Sequence, residues 1–154
     1  VVTIEPQTKE IISPEQSYLI TSILNDVVTR GTGKAAQVPG IELAGKTGTT
    51  NNNVDAWFCG YSPSIQTLVW FGNDNNTPMK RTETGGKIAA PVFGNFYKKY
   101  LELHPEIPRT FTMPQNVYTS NINGKTELFT DKSPLPEIDI LVQPSSPGEE
   151  VLEF

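Results

Sequence analysis

With one cysteine and one histidine in 154 residues, the sequence is poor in the side chains that build redox and metal chemistry. Cys59 has no partner for an internal disulfide and no companions for a cysteine metal cluster. His104 stands alone, which argues against a zinc site and against histidine-centred catalysis. A run of about 18 consecutive apolar residues, the length a membrane helix needs, does not occur, and no signal-peptide pattern opens at Val1. Positive charge is also short: Lys and Arg number 12 against 17 Asp and Glu. The whole net charge of -5 lies in residues 133–154, which hold Glu137, Asp139, Glu149, Glu150 and Glu153 with no Lys or Arg. The rest of the chain balances to zero, so no basic surplus exists to recruit nucleic acid or anionic lipid.

What is present suits one soluble domain, 36% hydrophobic and 154 residues long. Its opening, Val1-Val2-Thr3-Ile4 without methionine, suggests a piece of something longer and alternates as the end of a strand does. Ser13-Pro14-Glu15-Gln16 then announces a helix: Ser13 as N-cap, Pro14 at the first helical position, Glu15 on the positive end of the dipole, Gln16 completing a capping box. Leu19, Ile20, Ile23, Leu24, Val27 and Val28 repeat at helical spacing and predict one buried stripe, closed by Arg30 and Gly31.

After a connection through Gly40, Ile41-Glu42-Leu43-Ala44 alternates as a short strand leading into Gly45-Lys46-Thr47-Gly48-Thr49-Thr50. Asn51-Asn52-Asn53 predicts a turn, because Asn tolerates left-handed backbone. Asp55–Tyr61 and Gln66–Asn73 are aromatic and β-branched and read as strands, with Ser62-Pro63-Ser64 turning between them. These connections are too short for helical crossovers, so the three strands form an antiparallel meander. Ala56-Trp57-Phe58-Cys59 and Leu68-Val69-Trp70-Phe71 are apolar on both faces, which predicts helices covering each side and Cys59 as a small core residue. Asp74–Lys87 reads as a long polar loop, and a second helix is expected from about Ile88 to Leu103, with Pro91 in its first turn and His104 at its end. Beyond it, segments at Val117-Tyr118-Thr119 and Glu127-Leu128-Phe129 can pair across Asn123-Gly124, and the proline-rich acidic end is expected to be extended or disordered.

The stretch Ala44-Gly45-Lys46-Thr47-Gly48-Thr49-Thr50 gathers small, hydroxyl and cationic residues in one place. A period of two puts Lys46, Gly48 and Thr50 on one side and Thr47 and Thr49 on the other, so edge position or twist must decide which share a cleft. Gly48 lets a ligand approach the backbone closely, and free N–H groups beside it can donate to a developing oxyanion. Lys46 supplies a fixed charge for a carboxylate, and threonine hydroxyls can share it. Gly40-Ile41-Glu42-Leu43-Ala44-Gly45-Lys46-Thr47 also matches the Gly-x-x-x-x-Gly-Lys-Thr phosphate loop letter for letter. That motif needs a buried strand before it and a helix opening at the lysine, and the flanking residues suit neither.

Ser13-Pro14-Glu15, Val27 through Gly33, Ala44 through Thr50, Asp55 through Tyr61, Val69 through Gly72, and Gly85-Gly86-Lys87 through Ala89-Ala90-Pro91 stand in an order and spacing that resembles bifunctional (class A) penicillin-binding proteins. The likeness covers about residues 1–103. It implies an α+β fold, the C-terminal part of the penicillin-binding and serine β-lactamase-like transpeptidase domain, whose five-stranded antiparallel sheet is flanked by helices. Residues 1–104 would belong to that domain, 105–132 to a proline-containing extension with a small hairpin, and 133–154 to a flexible acidic tail. The implied reaction is two-step acyl transfer, in which a serine attacks the D-Ala-D-Ala carbonyl of a peptidoglycan stem peptide and an amine of a neighbouring stem peptide takes the acyl group. Lys46 and Thr49 would be catalytic, through the lysine's positive potential and the Thr49 backbone N–H. Lys46, Thr47, Gly48, Thr49 and Thr50 would bind the donor peptide or a β-lactam antibiotic. No metal or organic cofactor is implied. The setting would be the cell envelope, on the periplasmic or outer face of the cytoplasmic membrane, with any membrane anchor in a missing N-terminal part.

The family's other two motifs, Ser-x-x-Lys and Ser-x-Asn, occur nowhere in these residues. None of the serines is followed by lysine three places on. The nucleophile is therefore expected in an upstream part of the same protein, and this chain alone is expected to be inactive. A non-catalytic envelope binding module and a penicillin-sensing receptor domain are the alternative functions.

Overall fold

The structure is a computed structural model that describes residues 9–135, so the strand read at Val1–Ile4 and most of the acidic tail lie outside the described residues. Helix α1 spans Pro14–Thr29 and begins as its sequence requires. The Ser13 hydroxyl accepts the Gln16 N–H at 3.3 Å and the Gln16 side chain accepts the Ser13 N–H at 3.2 Å, two otherwise unpaired donors satisfied reciprocally. Ser13→Ala is expected to lower unfolding free energy by about 1 kcal/mol, read as a shift in the urea midpoint with unchanged slope. An unchanged midpoint would show that the cap contributes nothing to the folded state.

The helix turns a different face inward from the one its apolar residues predict. Thr21 and Val28 are buried, whereas Ile20 and Ile23 are 52% and 62% exposed. The inner line runs through Thr21, Asn25 and Val28, at helical spacing, because polar anchors decide it. Thr21 Oγ1 lies 2.9 Å from the Tyr61 hydroxyl, and Asn25 Nδ2 donates to the Leu43 carbonyl at 2.8 Å.

Three strands follow, β1 (Ala44–Thr49), β2 (Asp55–Tyr61) and β3 (Gln66–Gly72), in the antiparallel order β1-β2-β3. The described residues thus hold three strands of the main sheet. Ile41-Glu42-Leu43 lies before β1 rather than in it; the Glu42 N–H donates to the Arg109 carbonyl at 2.8 Å, and its carboxylate accepts the Phe111 N–H. Asn52 and Asn53 take the left-handed backbone of the β1–β2 turn, with φ of 59° and 58°. The Ser62 hydroxyl accepts the Ser64 and Ile65 N–H groups in the next turn.

Helix α2 spans Ala90–Leu103 and packs on the sheet face carrying Ala56, Phe58 and Gly60. The core joins Phe58 to Phe93 with ring centroids 4.7 Å apart, Phe93 to Tyr97 at 4.6 Å, and adds Val28 and Leu43. Tyr97 is buried and its hydroxyl donates to the Ile65 carbonyl at 2.5 Å, so the polar tip is satisfied. The expectation that helices cover both faces does not hold for the described residues. Cross-strand pairing puts Trp57, Cys59, Leu68 and Trp70 on the other face, where Leu68 and Trp70 are 56% and 45% exposed and Cys59 is half-buried. The two described α-helices pack on the β1 side and the Phe58 face, which leaves the opposite face of the aromatic-rich β2 and β3 without a helical cover among the described residues.

The helix start also differs. Gly85–Ala89 forms a π-helical turn that runs directly into α2, so helical backbone begins three residues before Ile88. His104 closes α2, its ring tilted against Tyr100 with centroids 4.4 Å apart. Strands β4 (Tyr118–Ile122) and β5 (Lys125–Phe129) form a separate hairpin whose Asn123-Gly124 turn has positive φ at both residues, as that pair favours.

Candidate active site

Among the described strands β1 lies at the edge of the sheet, and its orientation follows from one backbone bond. The Thr50 N–H donates to the Asp55 carbonyl at 3.1 Å, so Thr50 faces β2. Successive residues of an antiparallel strand point their N–H and C=O groups to opposite sides. The N–H groups of Thr47 and Thr49 therefore point to the unpaired edge.

Side chains divide as period two requires: Thr47 and Thr49 pair with Phe58 and Ala56 on the α2 side, while Lys46 and Gly48 pair with Cys59 and Trp57 on the other. Lys46 nevertheless reaches its neighbour, because no described strand lies beside that edge to stop a long side chain curling round. Its ammonium donates to the Thr47 carbonyl at 2.9 Å and to Thr47 Oγ1 at 3.3 Å. Thr47 Oγ1 is in turn 2.8 Å from Thr32 Oγ1. An ammonium that starts on one face of the sheet thus hydrogen-bonds a hydroxyl that belongs to the other.

Thr49 Oγ1 accepts the Gly85 N–H at 3.1 Å, which leaves its own proton to donate to a ligand. Gly85 can come this close because it lacks a side chain: a Cβ there would lie 2.3 Å from the Trp57 carbonyl oxygen and 2.5 Å from that of Gly48. Gly48 has a packing role besides leaving the backbone open, since a Cβ on it would meet Trp57 Cβ at 3.2 Å. The segment before Gly85 is fixed through the β1–β2 turn: Asn53 Nδ2 donates to the Lys80 and Glu83 carbonyls at 2.6 and 3.0 Å, and the Met79 N–H donates to the Asn53 carbonyl.

These contacts enclose a cavity of about 500 Å³ lined by Thr47, Thr49, Thr32 and Thr84, together with Lys34, Ala35, Gly86 and Lys87. No acidic side chain of the described residues lines it. Thr32, Lys34, Thr84 and Lys87 were not among the site residues read from sequence, although Thr32 stands in the Val27–Gly33 stretch and Lys87 follows Gly85-Gly86, both part of the family pattern. Thr50 is not brought into this cavity. Its hydroxyl donates to Asp55 at 3.2 Å and accepts the Asp55 N–H at 2.8 Å, and it borders a neighbouring cavity with Asn52, Met79 and Arg81. Lys46 lies in a strand rather than at a helix opening, so Gly40–Thr47 lacks the architecture of a phosphate loop.

A family model described as the penicillin binding protein transpeptidase domain matches residues 2–98. The chain belongs to that family. It is 38% identical over 114 residues to penicillin-binding protein 1B of Escherichia coli, covering 73% of this chain and 13% of that protein. It is 34% identical over 161 residues to penicillin-binding protein 1A of Pseudomonas aeruginosa, covering 95% of this chain and 19% of that protein. Among solved structures, penicillin-binding protein 1A of Haemophilus influenzae superposes with a TM-score of 0.70 at 29% identity, over 80% of this chain and 21% of that one. The transpeptidase match thus spans all of β1, β2, β3 and the cavity-forming turn, and the chain spans less than a fifth of the length of these two curated relatives.

Proposed function

We propose that this chain is the Lys-Thr-Gly half of a serine-type D-Ala-D-Ala transpeptidase that cross-links peptidoglycan stem peptides at the outer face of the cytoplasmic membrane. The observation that carries this reading is the free edge of β1. There the Lys46 ammonium, the Thr47 and Thr49 hydroxyls and the outward Thr49 N–H meet beside a cavity that no carboxylate of the described residues lines.

Each group has a task in the acyl transfer. The hydroxyls of Thr47 and Thr49 bind the donor's terminal carboxylate, with Lys46 supplying the field that favours an anion there. The Thr49 N–H donates to the oxygen that becomes negative as the serine attacks the scissile carbonyl, where a single fixed donor is worth about 3 kcal/mol. D-Ala leaves as its amine after taking a proton and the acyl group stays on the serine as an ester; an amine of a second stem peptide then attacks the ester carbon, loses a proton and displaces the serine oxygen, which is reprotonated. The loop at Thr50–Asn53 borders the side from which that amine approaches. β-Lactams enter the same cleft as acylating substrate mimics.

The serine and its lysine base belong to residues outside these 154, since no Ser-x-x-Lys or Ser-x-Asn occurs here. Residues 1–104 form part of the transpeptidase domain. Residues 105–132 are an extension held against it by the Glu42–Arg109 and Glu42–Phe111 hydrogen bonds, and 133–154 are an acidic tail. Intact-mass spectrometry after incubation with penicillin tests the proposal. This chain alone is expected to gain no mass, and the longer polypeptide carrying the other two motifs is expected to gain one penicillin. A covalent adduct on a serine of the chain alone overturns the split-site reading, and no adduct on either overturns the transpeptidase assignment.

A further inference from the structure

Resting on the transpeptidase reading, we infer that Lys34 and Lys87 form a second cationic rim that selects ligands carrying a free carboxylate, acting from outside the Lys-Thr-Gly strand. The two lysines come from separate elements, Lys34 from the short 3₁₀ turn Lys34–Ala36 and Lys87 from the π-helical turn Gly85–Ala89. Both line the cavity that holds Thr47 and Thr49. Both are exposed, and neither is in a salt bridge among the described residues, whose ion pairs are Arg30–Asp26, Lys99–Glu102 and His104–Glu106.

Each of these two ammonium groups is therefore open to an incoming anion, and no carboxylate among the described residues lines the cavity to compete for it. The threonines fit the same anion: Thr32, Thr47, Thr49 and Thr84 bring four hydroxyls to the wall. Lys46 is already engaged with Thr47, so the long, unengaged Lys34 and Lys87 side chains are the ones free to follow the anion as it enters and departs. Their contribution therefore belongs to binding of the anionic ligand rather than to the chemical step.

The test uses the longer polypeptide that also carries the nucleophilic serine, with benzylpenicillin and its methyl ester, which masks the carboxylate, as paired probes. The double variant Lys34→Ala/Lys87→Ala is expected to acylate with benzylpenicillin about tenfold more slowly at low concentration, with the limiting rate at saturation unchanged. Acylation by the methyl ester should not change, and the salt dependence of the benzylpenicillin reaction should flatten. The charge-reversing Lys87→Glu should deepen the loss for benzylpenicillin alone, and Lys87→Arg should restore it. An equal loss for both probes would mean that the lysines only hold the turns in place, and unchanged benzylpenicillin kinetics would mean that they contribute nothing; either result overturns the inference while the transpeptidase reading stands. Failure of the unsubstituted protein to acylate overturns both.

Discussion

Gly85→Ala is expected to slow β-lactam acylation of the longer polypeptide about a hundredfold or more and to lower its melting temperature. The reason is space rather than backbone conformation, since the positive-φ glycines of the described residues are Gly40 and Gly124. A methyl group on Gly85 would lie 2.3 Å from the Trp57 oxygen and 2.5 Å from the Gly48 oxygen. Both are ladder backbone atoms that cannot turn aside as a flexible side chain can. The π-helical turn must lift off the sheet instead, and overpacking of this kind costs about 1–3 kcal/mol and occasionally more. Lifting breaks the Gly85 N–H contact to Thr49 Oγ1 and moves Lys87 and Thr84 with it, and a misplacement of about 1 Å can cost about a hundredfold in rate. Stopped-flow acylation and thermal unfolding on the same sample check it. A variant that melts as the parent does and acylates at the parental rate would show that this turn does not rest on the strand.

Lys46→Ala is expected to do the opposite to the balance between stability and activity. The Lys46 side chain is exposed and its contacts are to its own neighbour, so unfolding free energy should shift by no more than about 0.5 kcal/mol. Acylation should fall by about a hundredfold to a thousandfold, the range seen when one fixed electrostatic group is removed from a site where charge develops. Lys46→Arg keeps the charge but replaces a compact three-donor head with a planar fork, so it should recover only part of the rate. Second-order acylation constants beside urea midpoints separate the two effects. A loss of stability matching the loss of rate would make Lys46 a structural residue and remove the main chemical argument for the site.

The contrast between these two residues shows which parts of the molecule can be read locally. The capping box at Ser13-Pro14-Glu15-Gln16 and the hairpin at Asn123-Gly124 formed where the sequence pointed, because each is decided within four residues by hydrogen bonds and backbone preference. The meander of β1, β2 and β3 was legible for a related reason: connections this short allow only antiparallel neighbours. By contrast, the inner face of α1 could not be found by counting apolar residues. It was set by Tyr61 and Leu43, which meet Thr21 and Asn25 from 40 and 18 residues away in the chain.

The site divides along the same line. Residue types alone identified Lys46, Thr47, Gly48 and Thr49 as a chemical cluster, and the ordered motifs placed it in a family, because charge, hydroxyl content and absence of a Cβ are properties of single residues. Period two correctly separated Lys46 from Thr47 and Thr49, yet only the exposed edge of β1 let the lysine return to its neighbour. Thr32, Lys34, Thr84 and Lys87 come from two segments about 50 residues apart, one before β1 and one after β3, and nothing local relates them. Their meeting depends on Gly85 resting against the ladder and on Asn53 holding the approach to it, both long-range contacts. Residue types along β1 and the order of the motifs set the strand's chemistry and its family; which distant side chains complete the cavity depends on the fold, because only packing between separated segments brings their charges and hydroxyls to one wall.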